Sequence, residues 1–354
     1  MDKKKKVFAA IIGVFAFALF YTGYVFIQTS TNRSQEPLGK GDFRLNDNGT
    51  VALGDGMISH GLFSKDGKLI NPGEKAECAD NKVEGKIHFQ QNKQGTMEYG
   101  LIFMADFIQK EFIVENEAFT CYRFSLTGDD QVKIGVQIPV EDNTYEIEYL
   151  IVPEPDLKNF SMENELEWNN FMATRDVCSG SYRITGKNDT KRVPVTLPQI
   201  DTNKLKAADF QGNTGFELVK SSSDISIFDT AKSGGTACLC MGGMQQRDDA
   251  YVVVAFCDWK QSELAPGELL RCYTSVPDRN NYEEIRFPDI KEDAVYQIFA
   301  FSLPIESRMP SMIRKTLRIK LEKSRNSSDK VLHFGCGDAG SGAQAWLVAP
   351  APEW

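Results

Sequence analysis

The sequence predicts an all-β chain built from two tandem sandwich domains, and three observations predict it. Short runs of β-branched and aromatic residues alternate with turn signals from Phe43 to Leu321. Cys121 to Pro153 can be laid on Cys272 to Pro304 without a gap, giving eight identities in thirty-three positions, against roughly two from ordinary composition. No long amphipathic helical pattern competes. A shift of one residue upstream extends the match through Tyr99/Tyr251, Asp106/Asp258, Gln109/Gln261 and Glu111/Glu263, so the chain reads as a repeat.

Residues 1–6 carry four lysines and read as a cytoplasmic tip. Residues 7–27 hold no charge, and as a helix they would extend about 31 Å, the thickness of a bilayer core. With the lysines held inside, the segment predicts a transmembrane signal-anchor and a bulk that is extracytoplasmic, periplasmic or at the cell surface. A cleaved signal peptide is the alternative and would make the chain secreted. Aromatic residues run up to Gln28, and the apolar run exceeds the usual signal-peptide length of about 7–15 residues, which favours the anchor. Residues 28–40 are polar and read as a stalk.

The first β-sandwich domain is expected over 41–157. Its turns are Asn46-Asp47-Asn48-Gly49, Asp55-Gly56, Lys65-Asp66-Gly67 and Asn71-Pro72-Gly73, and its strands Tyr99–Phe103, Phe119–Leu126, Val132–Ile138 and Tyr145–Val152. A connector follows over 158–174, where Met162 to Ala173 suit a short helix. The second domain is expected over 175–323, with strands Tyr251–Phe256, Leu269–Val276, Glu283–Phe287, Tyr296–Leu303 and Lys315–Leu321. A C-terminal strand and tail take 324–354.

All eight cysteines lie beyond the apolar segment, and an even count in an exported chain predicts disulfides. The repeat frame makes Cys272 the counterpart of Cys121. Cys121 is therefore expected to bond Cys78, and Cys272 to bond Cys238 or Cys240; Cys178, Cys257 and Cys336 stay open. Cys238-Leu239-Cys240 has too short a spacing, and the histidines stand too far apart, for a zinc site. No cofactor is expected.

Glu292-Asp293-Ala294-Val295-Tyr296, and more loosely Glu141-Asp142-Asn143-Thr144-Tyr145, resemble the tyrosine corner of immunoglobulin-like sandwiches. The family's cysteine two residues after the tyrosine is Ile147 or Ile298 here, and no tryptophan holds the usual place. The resemblance implies divergent immunoglobulin-like domains with Tyr145 and Tyr296 as buried structural rings.

Catalytic signals are decoys on this reading. Gly335 to Gly340 fits G-x-G-x-x-G, but the helix and strand of a dinucleotide site have no room in the fourteen residues after it. The same stretch superficially resembles a serine-protease nucleophile loop, with Ala339 in the nucleophile's place. The carboxylate pairs Glu141-Asp142 and Glu292-Asp293 fall where the corner needs them, and Asp106-Phe107 and Asp258-Trp259 read as turn formers rather than ligands. The formal charge of −9 becomes about −12 once the cytoplasmic tip is removed, which disfavours nucleic acid and anionic lipid as partners.

The function expected is non-enzymatic: a membrane-anchored surface or envelope protein whose loops bind a protein or glycan partner. Arg308 and Met309, in the loop after the Tyr296 strand, and the terminal Trp354 are its candidate contact residues. The alternative from a different class is a structural subunit that self-associates in an envelope assembly. An envelope hydrolase ranks below both and would need two loop carboxylates within about 10 Å.

Overall fold

The computed structural model describes residues 56–160, 174–186, 197, 199–200, 205–207, 216–221, 223–224, 226–241, 250–274, 281–303 and 313–323. Every regular element among them is a β-strand, so the all-β class holds. No helix among the described residues is long and apolar enough to cross a membrane. Residues 7–27 and 162–173 lie outside the described residues.

Ten strands form the first sheet: β1 (Ile58–Ser64), β2 (Leu69–Ile70), β3 (Lys75–Ala79), β4 (Lys82–Ala105), β5 (Ile108–Lys110), β6 (Phe112–Val114), β7 (Glu117–Phe119), β8 (Tyr122–Pro139), β9 (Glu146–Pro153) and β10 (Cys178–Gly186). Their main order is β3-β10-β9-β4-β8-β6-β7, and β3 pairs with β4 as well. That extra pairing closes a circuit through β3, β10, β9 and β4. A single 24-residue strand can serve both sides of the circuit because β4 bends. Its register against β8 breaks between Asn92 and Thr96, and Gly95 there has φ +79°. The bend folds β4 back so that Phe89 and Tyr99 meet with ring centroids 4.6 Å apart. The first half of β4 is rich in polar residues and gives little strand signal. Gln91, fully buried within it, donates to Gly128 O and accepts from the Tyr99 hydroxyl at 2.5 Å.

The second unit has two sheets. The larger contains β11 (Gln199–Ile200), β14 (Thr230–Lys232), β16 (Ala250–Cys257), β17 (Lys260–Ser262), β18 (Leu270–Thr274), β20 (Ala294–Leu303), β21 (Arg314–Lys315) and β22 (Ile319–Glu322), with main order β11-β18-β16-β20-β22-β14. The smaller, β12-β19-β15-β13, contains β12 (Lys206–Ala207), β13 (Phe216–Val219), β15 (Thr236–Met241) and β19 (Asn281–Arg286). These two sheets enclose one core, which includes Leu239, Tyr251, Val253, Ile285 and Tyr296.

The two units press together through a further apolar layer. Ile102, Met104, Leu150 and Val152 from the first meet Val252, Val254, Phe299 and Phe301 from the second. The central strands β4, β9, β16 and β20 are thus apolar on both faces where they meet. This is why Tyr251–Phe256 reads as a continuous hydrophobic run rather than an alternating one.

Three expectations are corrected. First, β10 pairs with β9 and β3, so the first unit reclaims residues 178–186 from the domain expected over 175–323. Second, among the described residues no disulfide forms. Cys78 points into the core enclosed by the first sheet, whereas Cys121 packs on the opposite, inter-unit layer, so the thickness of a sheet separates two sulfurs that a bridge needs adjacent. Cys238 and Cys240 lie on the outer side of the small sheet with Val219, while Cys272 belongs to the inter-unit layer.

The third correction concerns the repeat's register. Ala105 is paired with Ile147 in the first unit, and its counterpart Cys257 with Tyr296 in the second; Gly100 faces Arg123, and its counterpart Val252 faces Cys272. The structural equivalents are therefore Ile147/Tyr296 and Arg123/Cys272, two residues away from Tyr145/Tyr296 and Cys121/Cys272. A two-residue slip keeps every side chain on its own face, so the inside–outside pattern could not detect it.

Candidate functional site

Arg308, Met309 and Trp354 lie outside the described residues. Cys336 and Gly335 to Gly340 lie outside them as well, whereas Cys78, Cys121, Cys238, Cys240, Cys272, Tyr145 and Tyr296 are described, Tyr145 as a ring only partly buried rather than the buried one expected. Tyr296 is fully buried, and its hydroxyl meets no hydrogen-bond partner among the described residues. It therefore does not make the backbone bond that defines a tyrosine corner. The backbone after the acidic lead-in is held instead by the hairpin aspartates. The Tyr145 and Glu146 amides donate to Asp106 Oδ1 at 3.0 and 3.1 Å, and the Val295 amide donates to Asp258 Oδ1 at 2.9 Å. Burial pushes the Asp106 carboxyl up to about 6 in spite of these amides.

Asp106 can reach these donors because it opens a tight hairpin. Asp106 and Phe107 have φ of 48° and 65°, and Asp258 and Trp259 have 44° and 63°. Each pair is a two-residue connection between paired strands, the geometry of a type I′ turn. The turns place Gln109 and Gln261 face to face across the units. Each amide N–H donates to the other's Oε1 at 2.7 Å. Gln109 Nε2 donates to Trp259 O at 2.8 Å and Thr120 O at 3.1 Å, and Gln261 Nε2 donates to Phe107 O at 2.9 Å and Leu269 O at 3.2 Å. The exchange has local two-fold symmetry.

Where the copies differ, the second grips the first. Trp259 Nε1 donates to Pro155 O at 2.6 Å, and Arg318 donates to Glu154 O and Pro153 O at 2.5 and 2.8 Å. The Arg318 guanidinium also lies 4.7 Å from the Trp259 ring centroid. Burial pulls Arg318 down to about 9, against the raising effect of Glu154.

A second polar group lies at one end of the second unit's core. Arg271 binds Glu268 at 2.6 Å and Glu283, and the buried Tyr273 hydroxyl donates to Glu283. On the same strand as Glu283, the fully buried Asn281 has neither its oxygen nor its nitrogen partnered among the described residues. Two carboxylates thus share one guanidinium, and both are occupied in neutralising it. The described thiols whose titration is perturbed are raised by burial: Cys121, Cys257 and Cys272 to about 11, and Cys178 to about 12. Such groups are poor nucleophiles. No group of His, Cys, Asp or Glu among the described residues is arranged to hold a metal ion.

Sequence reasoning matched Gln109 with Gln261 but did not see that they join. Their glutamine identity across two turn-linked positions was the available signal. It passed over Arg271 and Glu283, whose period-two positions on β18 and β19 put charges on a core-facing row.

No protein-family model matches the chain, and no curated protein matches it. Among solved structures, the crystal structure of CBD12 from CALX1.2 is 8% identical, covering 71% of this chain and 96% of that one, with TM-score 0.19. The Calx CBD2 domain is 11% identical over 37% of this chain and 88% of its own, with TM-score 0.21. The C-terminal domain of the Streptococcus agalactiae AgI/II polypeptide BspA is 8% identical over 75% of this chain and 100% of its own, with TM-score 0.20. At these values the likeness carries no argument about function.

Proposed function

We propose that this chain is a non-enzymatic binding protein: a membrane-anchored, extracytoplasmic pair of divergent immunoglobulin-like β-sandwich units that presents surfaces to a protein or glycan. The observation that carries the reading is the symmetric junction. The repeated polar residues Asp106, Asp258, Gln109 and Gln261 are all engaged in turns and in the exchange between units, which favours a fixed frame with variable surfaces over a reaction centre. The lysine-flanked apolar segment at 7–27 and the polar stalk at 28–40 supply the anchor and the spacer.

The test is a partner screen with the full chain in detergent micelles, combining a glycan array with crosslinking pull-down from its own cell envelope. A saturable partner that is lost on thermal unfolding is expected. Failure to retain any partner in either format would sink the reading.

A further inference from the structure

On the outer face of the first unit, β1, β4 and β8 lay side chains in cross-strand rows. Gly61, His88 and Lys133 form one row, and Phe63, Lys86 and Gly135 the next. The Phe63 and His88 rings are stacked, 3.8 Å between centroids and 17° between planes. Around them stand Lys65, Lys82, Lys86 and Lys133, of which Lys65 and Lys82 share the Glu84 carboxylate at 2.9 and 2.6 Å. Lys86 and Lys133, both exposed, have no carboxylate partner among the described residues. On a chain of net charge −9, two uncompensated ammonium groups in adjacent rows of one sheet face repel one another without local return. Their field also reaches His88, which burial first, then Lys133 and Lys86, hold below its usual range.

Gly135 is the second, independent observation. Its φ is not positive, and a methyl group added there would meet no atom within 4 Å. Every other described glycine has either a positive φ or a neighbour 3.0 Å or less from such a methyl. Neither the backbone nor packing requires glycine at 135, in the interior of an 18-residue strand. A glycine inside a strand weakens it and often marks a bulge, a bend or a close approach, and the register of β8 on β4 runs without a bulge from Lys82 to Asn92, opposite Pro139 to Asp129. The bare position lies between Lys133 along the strand and Lys86 across it, with Gln137 on its other side.

We propose that this shelf binds an acidic saccharide: its carboxylate or sulfate sits over Gly135 between Lys86 and Lys133, and its ring lies towards Phe63. One anionic group suits two lysines, the Gln137 amide offers polar contacts to hydroxyls, and an aromatic ring suits the apolar face of a sugar. The acidity of the rest of the chain opposes a long polyanion such as a nucleic acid, or an anionic bilayer, that must lie across it, whereas a short acidic saccharide need cover only this shelf. The site rests on the binding reading and specifies its partner class.

The experiment measures binding of the full chain in micelles to oligogalacturonate, sulfated dextran oligomers, neutral dextran, a short DNA duplex and phosphatidylglycerol vesicles. The acidic oligosaccharides are expected to bind and neutral dextran not to. Lys86→Gln with Lys133→Gln should weaken binding roughly tenfold or more. Gly135→Val should abolish it with Tm unchanged or raised, since valine suits a strand interior better than glycine. A fall in Tm with Gly135→Val would give the glycine a structural role and overturn the site, as would acidic-saccharide binding indifferent to these substitutions, or binding confined to DNA or vesicles. If the screen finds a partner that Gly135→Val still binds, this site fails while the wider binding reading stands; no partner at all removes both.

Discussion

Tyr296 keeps a fully buried hydroxyl without a partner among the described residues, and that oxygen costs desolvation without return from them. Tyr296→Phe is therefore expected to leave stability unchanged or raise it by up to about 1 kcal/mol, read from the urea midpoint at constant m-value. A loss larger than that would mean the hydroxyl has a role in the corner after all. Asp106 gives a pH signature. Its folded value of about 6 lies above the roughly 3.9 of an unfolded aspartate, so the native state keeps a proton that the unfolded state releases. Stability should then fall as pH rises from about 4 to 6. His60 works the other way in this window, because burial depresses it to about 4 and the unfolded imidazole binds the extra proton. The informative quantity is the difference between wild type and Asp106→Asn, which keeps the acceptor oxygen but cannot titrate. That variant should lack about 1–2 kcal/mol of the decline, a figure reduced for the carboxylate's residual exposure. Parallel pH–stability curves for the two proteins would refute it.

At the scale of elements, the Gln109–Gln261 exchange ties β5 to β17. Gln109→Ala deletes an acceptor for the Gln261 amide and a donor to Trp259 O. Each single alanine variant should cost about 1–3 kcal/mol, and the double variant clearly less than the sum, because the second change removes groups the first has already orphaned. Strict additivity in a double-mutant cycle would deny the exchange. The same elements show how far the sequence could be read. Strands β9, β16 and β20 were legible because their apolar runs are dense. The Asp-aromatic turns were legible as turns, although the aromatic at the second central position is not a usual type I′ choice. The polar half of β4 was illegible, because Gln91 belongs inside only through bonds to Tyr99 and Gly128 that arise after the strand has bent back. The repeat's register was illegible for a different reason: its identities at Tyr145/Tyr296 and Cys121/Cys272 gave a gap-free match, while hydrogen bonding set the strands two residues away. The expected disulfides failed with that register, since they had been assigned through it. The Gly135 shelf left no motif, only a glycine whose lack of a local reason becomes visible once its neighbours are placed.

At the scale of the whole molecule, each unit presents to the other a surface it cannot leave in water. For the first unit this surface includes Ile102, Met104, Phe107, Leu150 and Val152, all at most 1% exposed in the full chain. A contiguous apolar face of that kind on an isolated domain drives association. The local two-fold symmetry of the glutamine exchange makes a specific form of it available. Two copies of the first unit could place Gln109 against Gln109 in the geometry now shared with Gln261, an isologous contact closed by symmetry. A fragment ending after β10, residues 41–186, is therefore expected to run as a dimer in size-exclusion chromatography with light scattering. Gln109→Arg should break the dimer by burying two like charges against each other. The asymmetric grip of Trp259 and Arg318 on Pro153 to Pro155 is absent from such a dimer. Added second unit, residues 197–323, should accordingly displace one copy and give a one-to-one heterodimer. A first unit that stays monomeric at high concentration, and ignores the second when the two are mixed, would show that the shared layer is an incidental contact rather than the bond that makes two β units one body.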